Sequence, residues 1–378
     1  MRWDNLRLDD QLSADQDTAG ETLFPAERRD VALPLIERGA VARTFDTPGF
    51  RGMTFYEVQA KSVVNRVPEA SRMPFRWTIN PYRGCQHACR YCFARNSHTY
   101  LDLDAGADFD TKVVVKVNAP ELTRKKMASA SWQGEHIAMG TNVDCYQRAE
   151  GRYQLMPGII SALKDAANPF SILTKGTLIL RDIDLLAEAA EVTDVGLNVS
   201  AGFIDKELWR SVEPGTPAPA RRLEACAALN ERGLRCGVLM GPVVPFLSDS
   251  PAQLEAAVSQ IAAAGATQVT PIVLHLRPGT RDWFFGWLQA CHPGLVARYL
   301  DLYGRGAYAP KAYQARISGQ VRELAVTYGI GRPRPGFGHG RRPAAARPGP
   351  APAQRLPDDP QALPAALAPA PPEQLTLL

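Results

Sequence analysis

Short apolar runs alternate with longer amphipathic stretches through the middle of the chain. A run of four to eight apolar or β-branched residues is typical of a buried strand, whereas apolar positions three and four apart are typical of a helix with one buried face. The pattern predicts six strands, at 75–80, 136–140, 170–175, 195–200, 236–241 and 267–274. It predicts helices between them at 153–167, 182–191, 219–233 and 251–265.

Capping residues support two of these helices. Ser250 precedes Pro251 at the start of the fourth, which closes at Gly265, and the third ends at Gly233. A strand followed by a helix, repeated six times, predicts a parallel sheet with helices outside. A complete barrel of this type has eight units. The predicted fold class is therefore α/β, with a partial (β/α)6 TIM-type barrel.

Further elements interrupt and follow the six units. Between the first and second strands, 112–129 predicts an extra strand and then a helix capped near Asn118. After the sixth strand, 280–292 predicts an aromatic-rich helix whose rings pack over the end of the barrel. Two more helices are predicted at 292–304 and 311–330.

Composition divides the chain into four predicted regions. Residues 1–49 form a charged, partly disordered extension, 50–280 the barrel, and 281–331 the C-terminal helices. Residues 332–378 form a Pro/Ala/Arg-rich tail. From residue 331 onwards the chain carries 12 of its 31 prolines. Such a segment buries too little apolar surface to offset its ordering entropy, so we expect disorder there.

The net charge of the chain gives only weak evidence for a nucleic-acid partner. The chain has 43 basic and 39 acidic residues, but six Arg and only three acids lie beyond residue 331. The rest is nearly neutral, so a nucleic-acid partner is indicated only through the tail. The N-terminal residues lack an apolar signal core, and no run of eighteen apolar residues occurs, so we expect no membrane segment and a cytoplasmic location.

Three of the seven cysteines fall within eight positions, in "CQHACRYCF" (85–93). Cys85, Cys89 and Cys92 would share one helix face, but arginines and His87 interleave with them, which disfavours a buried apolar stripe. A structural zinc site needs four ligands, and His87, His98 or Cys145 could supply the fourth. In a [4Fe–4S] cluster, three thiolates would leave one iron open for a substrate or cofactor.

This spacing, with an aromatic after the last cysteine, resembles the signature of the radical S-adenosylmethionine superfamily. "VVVKVNAPEL", "ILTKGTLILRDIDLL" and "EPGTPAPARRLEACAALNERG" are similar to its spore photoproduct lyase branch. The resemblance implies a [4Fe–4S] cluster on the three cysteines, with S-adenosylmethionine on the open iron. It implies reductive cleavage of that cofactor to a 5′-deoxyadenosyl radical, with a flavodoxin or ferredoxin as reductant.

The resemblance also implies which residues hold S-adenosylmethionine. Phe93 would lie against the adenine and Leu239 would flank it, while Lys175 would meet the carboxylate. Asn142 and Ser200 would bond the amino group. The alternatives are a solvated strand-end lysine for Lys175 and a turn hydroxyl for Ser200. Glu213, in "EPGTP", is interpreted as orienting its loop.

The substrate is less constrained. In spore photoproduct lyase a cysteine before a Thr-Ser-Asp run donates a hydrogen atom, but Gly140 occupies that place here. Cys145 is the candidate hydrogen-atom donor, with a buried free cysteine as its alternative. The leading hypothesis is a radical enzyme acting on nucleic acid or a nucleotide. The alternatives are a radical enzyme modifying a protein or metabolite, and a zinc-stabilised binding protein without catalytic activity.

Overall fold

The computed structural model describes residues 35–36, 39–68 and 73–331. Its strands are β1 Val41–Arg43, β2 Thr54–Val58, β3 Val64–Arg66, β4 Trp77–Ile79, β5 Tyr82–Arg83, β6 Lys112–Lys116, β7 Ile137–Met139, β8 Phe170–Thr174, β9 Val195–Ser200, β10 Cys236–Val243 and β11 Val269–Val273.

The helices are α1 Ala107–Thr111, α2 Ala119–Met127, α3 Arg148–Tyr153, α4 Leu155–Asp165, α5 Ile183–Val192, α6 Lys206–Val212, α7 Pro219–Glu231, α8 Pro251–Ala263, α9 Thr280–Cys291, α10 Val296–Tyr303 and α11 Lys311–Thr327. Short 3₁₀ segments occupy Pro48–Phe50, Phe93–Leu101, Thr177–Asp182 and Pro293–Leu295.

The larger sheet confirms the predicted architecture. Its strand order is β11-β10-β9-β8-β7-β4-β3, in which the six predicted strands are parallel neighbours and β3 is an antiparallel edge. Because consecutive parallel strands lie side by side, their carboxyl ends share one edge of the sheet. Polar residues that follow these strands are thereby brought together, as at the mouth of a TIM-type barrel.

Helix caps follow the sequence with one exception. Ser250 and Gln253 form a reciprocal capping box on α8, and Gly233 follows α7 with φ +88°. Asn118 stands at the N-cap of α2, but its side chain does not cap the helix. It bonds instead to the backbone N and O of Ala60, each at 2.9 Å. This tertiary contact ties α2 to the loop after β2.

A second sheet, with order β1-β2-β6-β5, was not predicted as a sheet. Its strand β6 buries Val113 and Val115 on one face, and Val114 in a small core on the other. Strand β1 lies before residue 50, inside the region assigned to the N-terminal extension. This sheet places Tyr82 and Arg83, the residues just before the cysteine loop, beside β6.

The aromatic helix packs as expected. Phe284 and Trp287 of α9 are buried with Tyr299 of α10. The predictions for 1–34 and for the proline-rich tail lie outside the described residues. None of the helices in the described part of the chain has the length and hydropathy of a membrane-spanning segment.

Candidate cluster and cofactor site

The cysteine loop leaves the small sheet at β5 and passes over the carboxyl ends of the parallel strands. Cys85 and Cys89 are each 6% exposed and Cys92 is half-buried. The chain enters through Gly84 at φ +80°, where a side chain would lie 2.7 Å from the Lys112 carbonyl oxygen. A glycine is needed there for both its φ and its lack of a Cβ.

The three thiols occupy one electrostatic environment. Burial raises the pKa of Cys85 well above its usual range, and Asp144 and the two other thiols raise it further. Burial, with Glu213 adding to it, raises the pKa of Cys89 to about 12. Thiolates here therefore need compensating positive charge, which bound iron supplies. Thiolate donors gathered on one buried loop fit an iron–sulfur cluster.

The donors fit a closed zinc site less well. Of the three candidate fourth ligands, His87 pairs with Asp144 at 3.4 Å, His98 Nε2 lies 2.8 Å from the Lys112 carbonyl oxygen, and Cys145 is 0% exposed in the main core. A structural zinc site requires four ligands converging on one point. Three thiols that each bind a different iron atom need no such point.

A buried arginine holds the loop from one side. Arg95 is fully buried and donates from Nε (3.2 Å) and Nη2 (3.1 Å) to the Cys89 carbonyl. It also donates to the Gly106 carbonyl at 2.8 Å and to Asp110 at 2.7 Å. Each partner lies within fifteen residues of Arg95. This arrangement fixes the backbone at the middle cysteine.

Gln147 and Asp144, in the loop after β7, hold the other end. Gln147 accepts from the Gln86 amide and donates to the Gly84 carbonyl, each at 3.0 Å, and so brackets Cys85. Asp144 lies 3.4 Å from His87 Nδ1 and accepts from the Lys175 amide at 2.6 Å. Burial opposes the charge on Asp144, but His87 and these hydrogen bonds hold its pKa well below its usual range.

A second buried arginine organises the loop 213–217. Arg222 donates to Glu213 at 2.5 Å and to the Ser200 carbonyl at 3.1 Å. Tyr91, between two of the cysteines, donates its hydroxyl to the other oxygen of Glu213. Burial opposes the charge on Glu213, yet Arg222, Lys175 and Tyr91 lower its pKa. The interpretation of Glu213 as an orienting residue agrees with these contacts.

The residues predicted to hold S-adenosylmethionine lie on several strand ends around the loop. Lys175 follows β8, and its Nζ is 5.8 Å from the Tyr91 ring centroid. Ser200 ends β9 opposite Leu239 of β10, and its hydroxyl donates to the Gly241 carbonyl at 2.9 Å. Phe93 is 45% exposed. Asn142 is half-buried in the loop after β7. Their cofactor roles stay predictions.

Cys145 is 0% exposed and belongs to the main hydrophobic core. Burial raises its pKa well above the usual range, and Asp144 and Glu150 add to this. This placement favours the buried-cysteine alternative. Its role as a hydrogen-atom donor stays a prediction.

Sequence reasoning missed four residues that shape the site: Arg95, Asp144, Gln147 and Arg222. In the sequence, the arginines of the cysteine loop indicate only that this stretch is not a buried apolar stripe, and they do not indicate which contacts Arg95 makes. The available signal for Asp144 and Gln147 was their position just after a strand, where parallel strands converge. Nothing in the local pattern marked Arg222, because it lies inside a regular helix.

Comparison with known proteins bears on this site. Residues 79–254 match the family model of the radical SAM superfamily. An uncharacterised protein of Mycobacterium tuberculosis is 52% identical over 309 residues, covering 81% of this chain and 91% of that protein. An uncharacterised protein of Methanocaldococcus jannaschii is 31% identical over 195 residues, covering 51% of this chain and 69% of that protein.

Solved structures show the same fold. A spore photoproduct lyase complexed with dinucleoside spore photoproduct has a TM-score of 0.55 at 13% identity, over 73% of this chain and 80% of that one. A variant of spore photoproduct lyase has a TM-score of 0.53 at 14% identity, over 70% and 77%.

The chain belongs to the radical SAM superfamily. It is an enzyme of that superfamily, with the partial TIM-type barrel of its structural neighbours. Membership implies an iron–sulfur cluster and S-adenosylmethionine as cofactors.

Proposed function

We propose that Cys85, Cys89 and Cys92 bind three irons of a [4Fe–4S] cluster, and that S-adenosylmethionine binds the fourth. This proposal is carried by three thiols on one loop, two of them buried, whose pKa values are all raised by burial, so that thiolates there require positive charge. When bound, the two cofactors supply a 5′-deoxyadenosyl radical that removes a hydrogen atom from the substrate. A flavodoxin or ferredoxin supplies the electron.

The chain's own residues then hold S-adenosylmethionine at the strand ends. Lys175 pairs with its carboxylate, and Phe93 and Leu239 border its adenine. Ser200 donates its proton to Gly241, which leaves its oxygen lone pairs free to accept from the cofactor's ammonium group. Asn142 offers an amide oxygen to the same group. These contacts place a cation and several acceptors around a zwitterionic ligand.

The cluster is tested by anaerobic reconstitution with iron and sulfide. We expect a brown protein with four irons, an electron paramagnetic resonance signal that changes when S-adenosylmethionine is added, and release of 5′-deoxyadenosine on reduction. Cys89→Ala should lose all three properties. Cys291→Ala removes an exposed cysteine outside the loop and should keep them. A wild-type signal that ignores S-adenosylmethionine contradicts the proposal.

We propose a nucleic acid or nucleotide as the substrate class. Arg277, just after β11, lies 5.4 Å from the Phe93 ring centroid and donates to the Tyr308 hydroxyl at 3.2 Å. Phe93 is proposed above to border the adenine of S-adenosylmethionine, so Tyr308, which is 49% exposed, is the ring open to a substrate base. Arginine beside exposed aromatic rings is the combination that binds phosphate and stacks on bases. A solved spore photoproduct lyase holds AdoMet and a dinucleoside spore photoproduct, which supports the same substrate class by analogy.

The substrate class is tested by anaerobic gel shift with single-stranded and duplex oligonucleotides at 50 mM and 200 mM salt. We expect binding that weakens with salt, because phosphate contacts release counterions. Arg277→Gln should weaken it, whereas Arg232→Gln, an exposed arginine at the end of α7 that pairs with Asp184, should not. Absence of salt-sensitive binding removes this substrate class in favour of a protein or metabolite. Deuterium transfer from labelled candidates into 5′-deoxyadenosine would then identify the molecule attacked.

A further inference from the structure

Two positively charged side chains lie side by side on the outer face of the four-stranded sheet. Tyr82 of β5 and Val115 of β6 are paired on the face that packs against the main core. Successive side chains of a strand point to opposite faces, so Arg83 and Lys116 lie on the other face, with Val114 of the small core. Arg83 is opposite Val114 across the two strands, and Lys116 is two residues further along β6. The two cations are therefore diagonal neighbours.

Both cations are half-buried, and within 35–36, 39–68 and 73–331 neither has a carboxylate partner. Burial lowers the pKa of Arg83, and burial together with the charge of Arg83 lowers the pKa of Lys116 to about 8. Lys112, at the other end of β6 on the same face, is paired with Asp108 at 3.0 Å. Glu121, the next acid after Lys116 in the chain, is exposed and is not among the groups that shift the Lys116 pKa. Because a partly buried charge without a partner is costly, the pair indicates a site that an external anion completes.

The pair lies level with the carboxyl ends of the barrel strands. The Lys116 amide donates to the carbonyl of Pro81 at 3.0 Å, and Pro81 follows the carboxyl end of β4. Its partner in the pair comes directly before the cysteine loop in the chain. A third cation, Lys61, is exposed and follows Ala60, which the Asn118 side chain ties to the end of β6. The three cations therefore border the rim of the barrel mouth on the side of the small sheet.

We propose that Arg83, Lys116 and Lys61 form a binding site for a phosphate group, carried either by a nucleic-acid strand or by a small molecule. The planar guanidinium of Arg83 can donate two parallel hydrogen bonds to phosphate oxygens, and a lysine ammonium adds a point charge. A phosphate group has enough acceptor oxygens to contact both half-buried cations at once. The nucleic-acid form of the site rests on the proposed function, since the strand would then reach the rim from a nucleotide at the barrel mouth. The small-molecule form does not depend on it.

The first arm of the test measures fluorescence anisotropy of a labelled single-stranded oligonucleotide with the full-length, anaerobically reconstituted protein. Lys116→Gln should weaken binding about eightfold at about 50 mM salt and leave it unchanged at about 1 M salt, because each lost phosphate contact removes about 0.7 from the slope of log K against log salt. Arg83→Gln should have a similar effect. The matched control is Lys164→Gln, a half-buried lysine of α4 that already pairs with Glu188 at 2.7 Å and should bind like wild type.

The second arm uses inorganic pyrophosphate and thermal unfolding. A ligand that binds the folded protein raises its unfolding midpoint, so about 10 mM pyrophosphate should raise the Tm of wild type and of Lys164→Gln but not that of Lys116→Gln. A dependence on Lys116 in this arm alone identifies a small-molecule phosphate, and a dependence in the oligonucleotide arm identifies a nucleic-acid strand. Wild-type behaviour of both Lys116→Gln and Arg83→Gln in both arms overturns the site.

Two further measurements separate this site from the cluster and from the proposed substrate. Circular dichroism, iron content and 5′-deoxyadenosine release in the absence of substrate should match wild type in Lys116→Gln. Loss of iron from this variant would mean that Lys116 supports the cysteine loop, which overturns its assignment to phosphate. If wild-type protein binds no oligonucleotide, the nucleic-acid substrate fails, whereas the pyrophosphate arm still decides the phosphate site.

Discussion

Two buried arginines hold the cysteine loop on two sides, and the carboxylates that pair with them have pKa values shifted in opposite directions. Arg95 and Arg222 are each at most 1% exposed, and each pairs with one carboxylate and several backbone carbonyls. Burial nevertheless raises the pKa of Asp110, the partner of Arg95, to about 6. The pKa of Glu213, the partner of Arg222, is lowered.

The pKa values of the two carboxylates differ in direction because different charged and polar groups lie around them. Glu213 receives the Tyr91 hydroxyl and the charge of Lys175 besides Arg222. Asp110 has the charge of Arg90 besides Arg95, but the like charge of Asp104 raises its pKa. Both carboxylates are desolvated and both have two nearby cations, so the Tyr91 hydrogen bond on Glu213 and the neighbouring Asp104 charge on Asp110 separate the two pKa directions. The Glu213 side is therefore the more strongly charged support of the site.

The largest effect is expected from Glu213→Gln. It leaves Arg222 buried without its carboxylate, which should lower the free energy of unfolding by about 3–5 kcal/mol. Urea unfolding followed by tryptophan fluorescence measures this. Glu224→Gln breaks an exposed pair with Arg221 and should cost less than about 1 kcal/mol. If the two variants lost the same free energy of unfolding, the buried Glu213–Arg222 pair would contribute no more than the exposed Glu224–Arg221 pair, which contradicts the prediction.

Arg95→Lys should have the next largest effect. Lysine cannot reproduce the planar fork that serves the Cys89 and Gly106 carbonyls together with Asp110. We expect a loss of about 1–3 kcal/mol, since buried carbonyls lose their donors, and faster bleaching of the cluster in air. Arg221→Lys is the surface control. Unchanged bleaching would show that this side supports the fold but not the cluster.

The pH dependence of the two carboxylates should have opposite signs. Glu213 has a lowered pKa, so its stabilisation is present above its unfolded value of about 4.5 and is lost as pH falls. Asp110 has a raised pKa, so its contribution is present below its unfolded value of 3.8 and is lost as pH rises through about 6. Unfolding at pH 4 to 7 should show Glu213→Gln growing costlier with pH, and Asp110→Asn less costly. Parallel slopes would contradict the comparison.

The smallest effect is expected far from both supports. Ser250→Ala removes the side chain that caps α8 and should cost about 1 kcal/mol, with iron content unchanged. Gln260→Ala, on the exposed side of the same helix, should cost less than about 0.5 kcal/mol. Loss of iron in the Ser250 variant would mean that the cluster loop responds to any destabilisation of the fold. The effects of the Glu213 and Arg95 variants could then not be assigned to their contacts with the loop.

Local patterns predicted the barrel well. The bounds of all six parallel strands and of the helices between them lie within three residues of the predicted bounds. This agreement is expected because hydrophobic periodicity and capping depend on residues that are close together in the sequence. The four-stranded sheet was missed, since β1 and β5 have only three and two residues and pair with strands far along the chain. Asn118 lies at the predicted helix end, but its side chain bonds to Ala60 and does not cap the helix. The local sequence does not predict this contact, because Ala60 is 58 residues away.

The order of strands and helices and the position of the three thiols follow from the amino-acid sequence alone, because spacing along the chain is a local property. Tertiary structure decided what surrounds those thiols. Arg95, Gln147 and the Glu213–Arg222 pair act on the loop through contacts that form only when separate strand ends meet. Burial then sets the charge each group carries, and burial is a property of the whole fold.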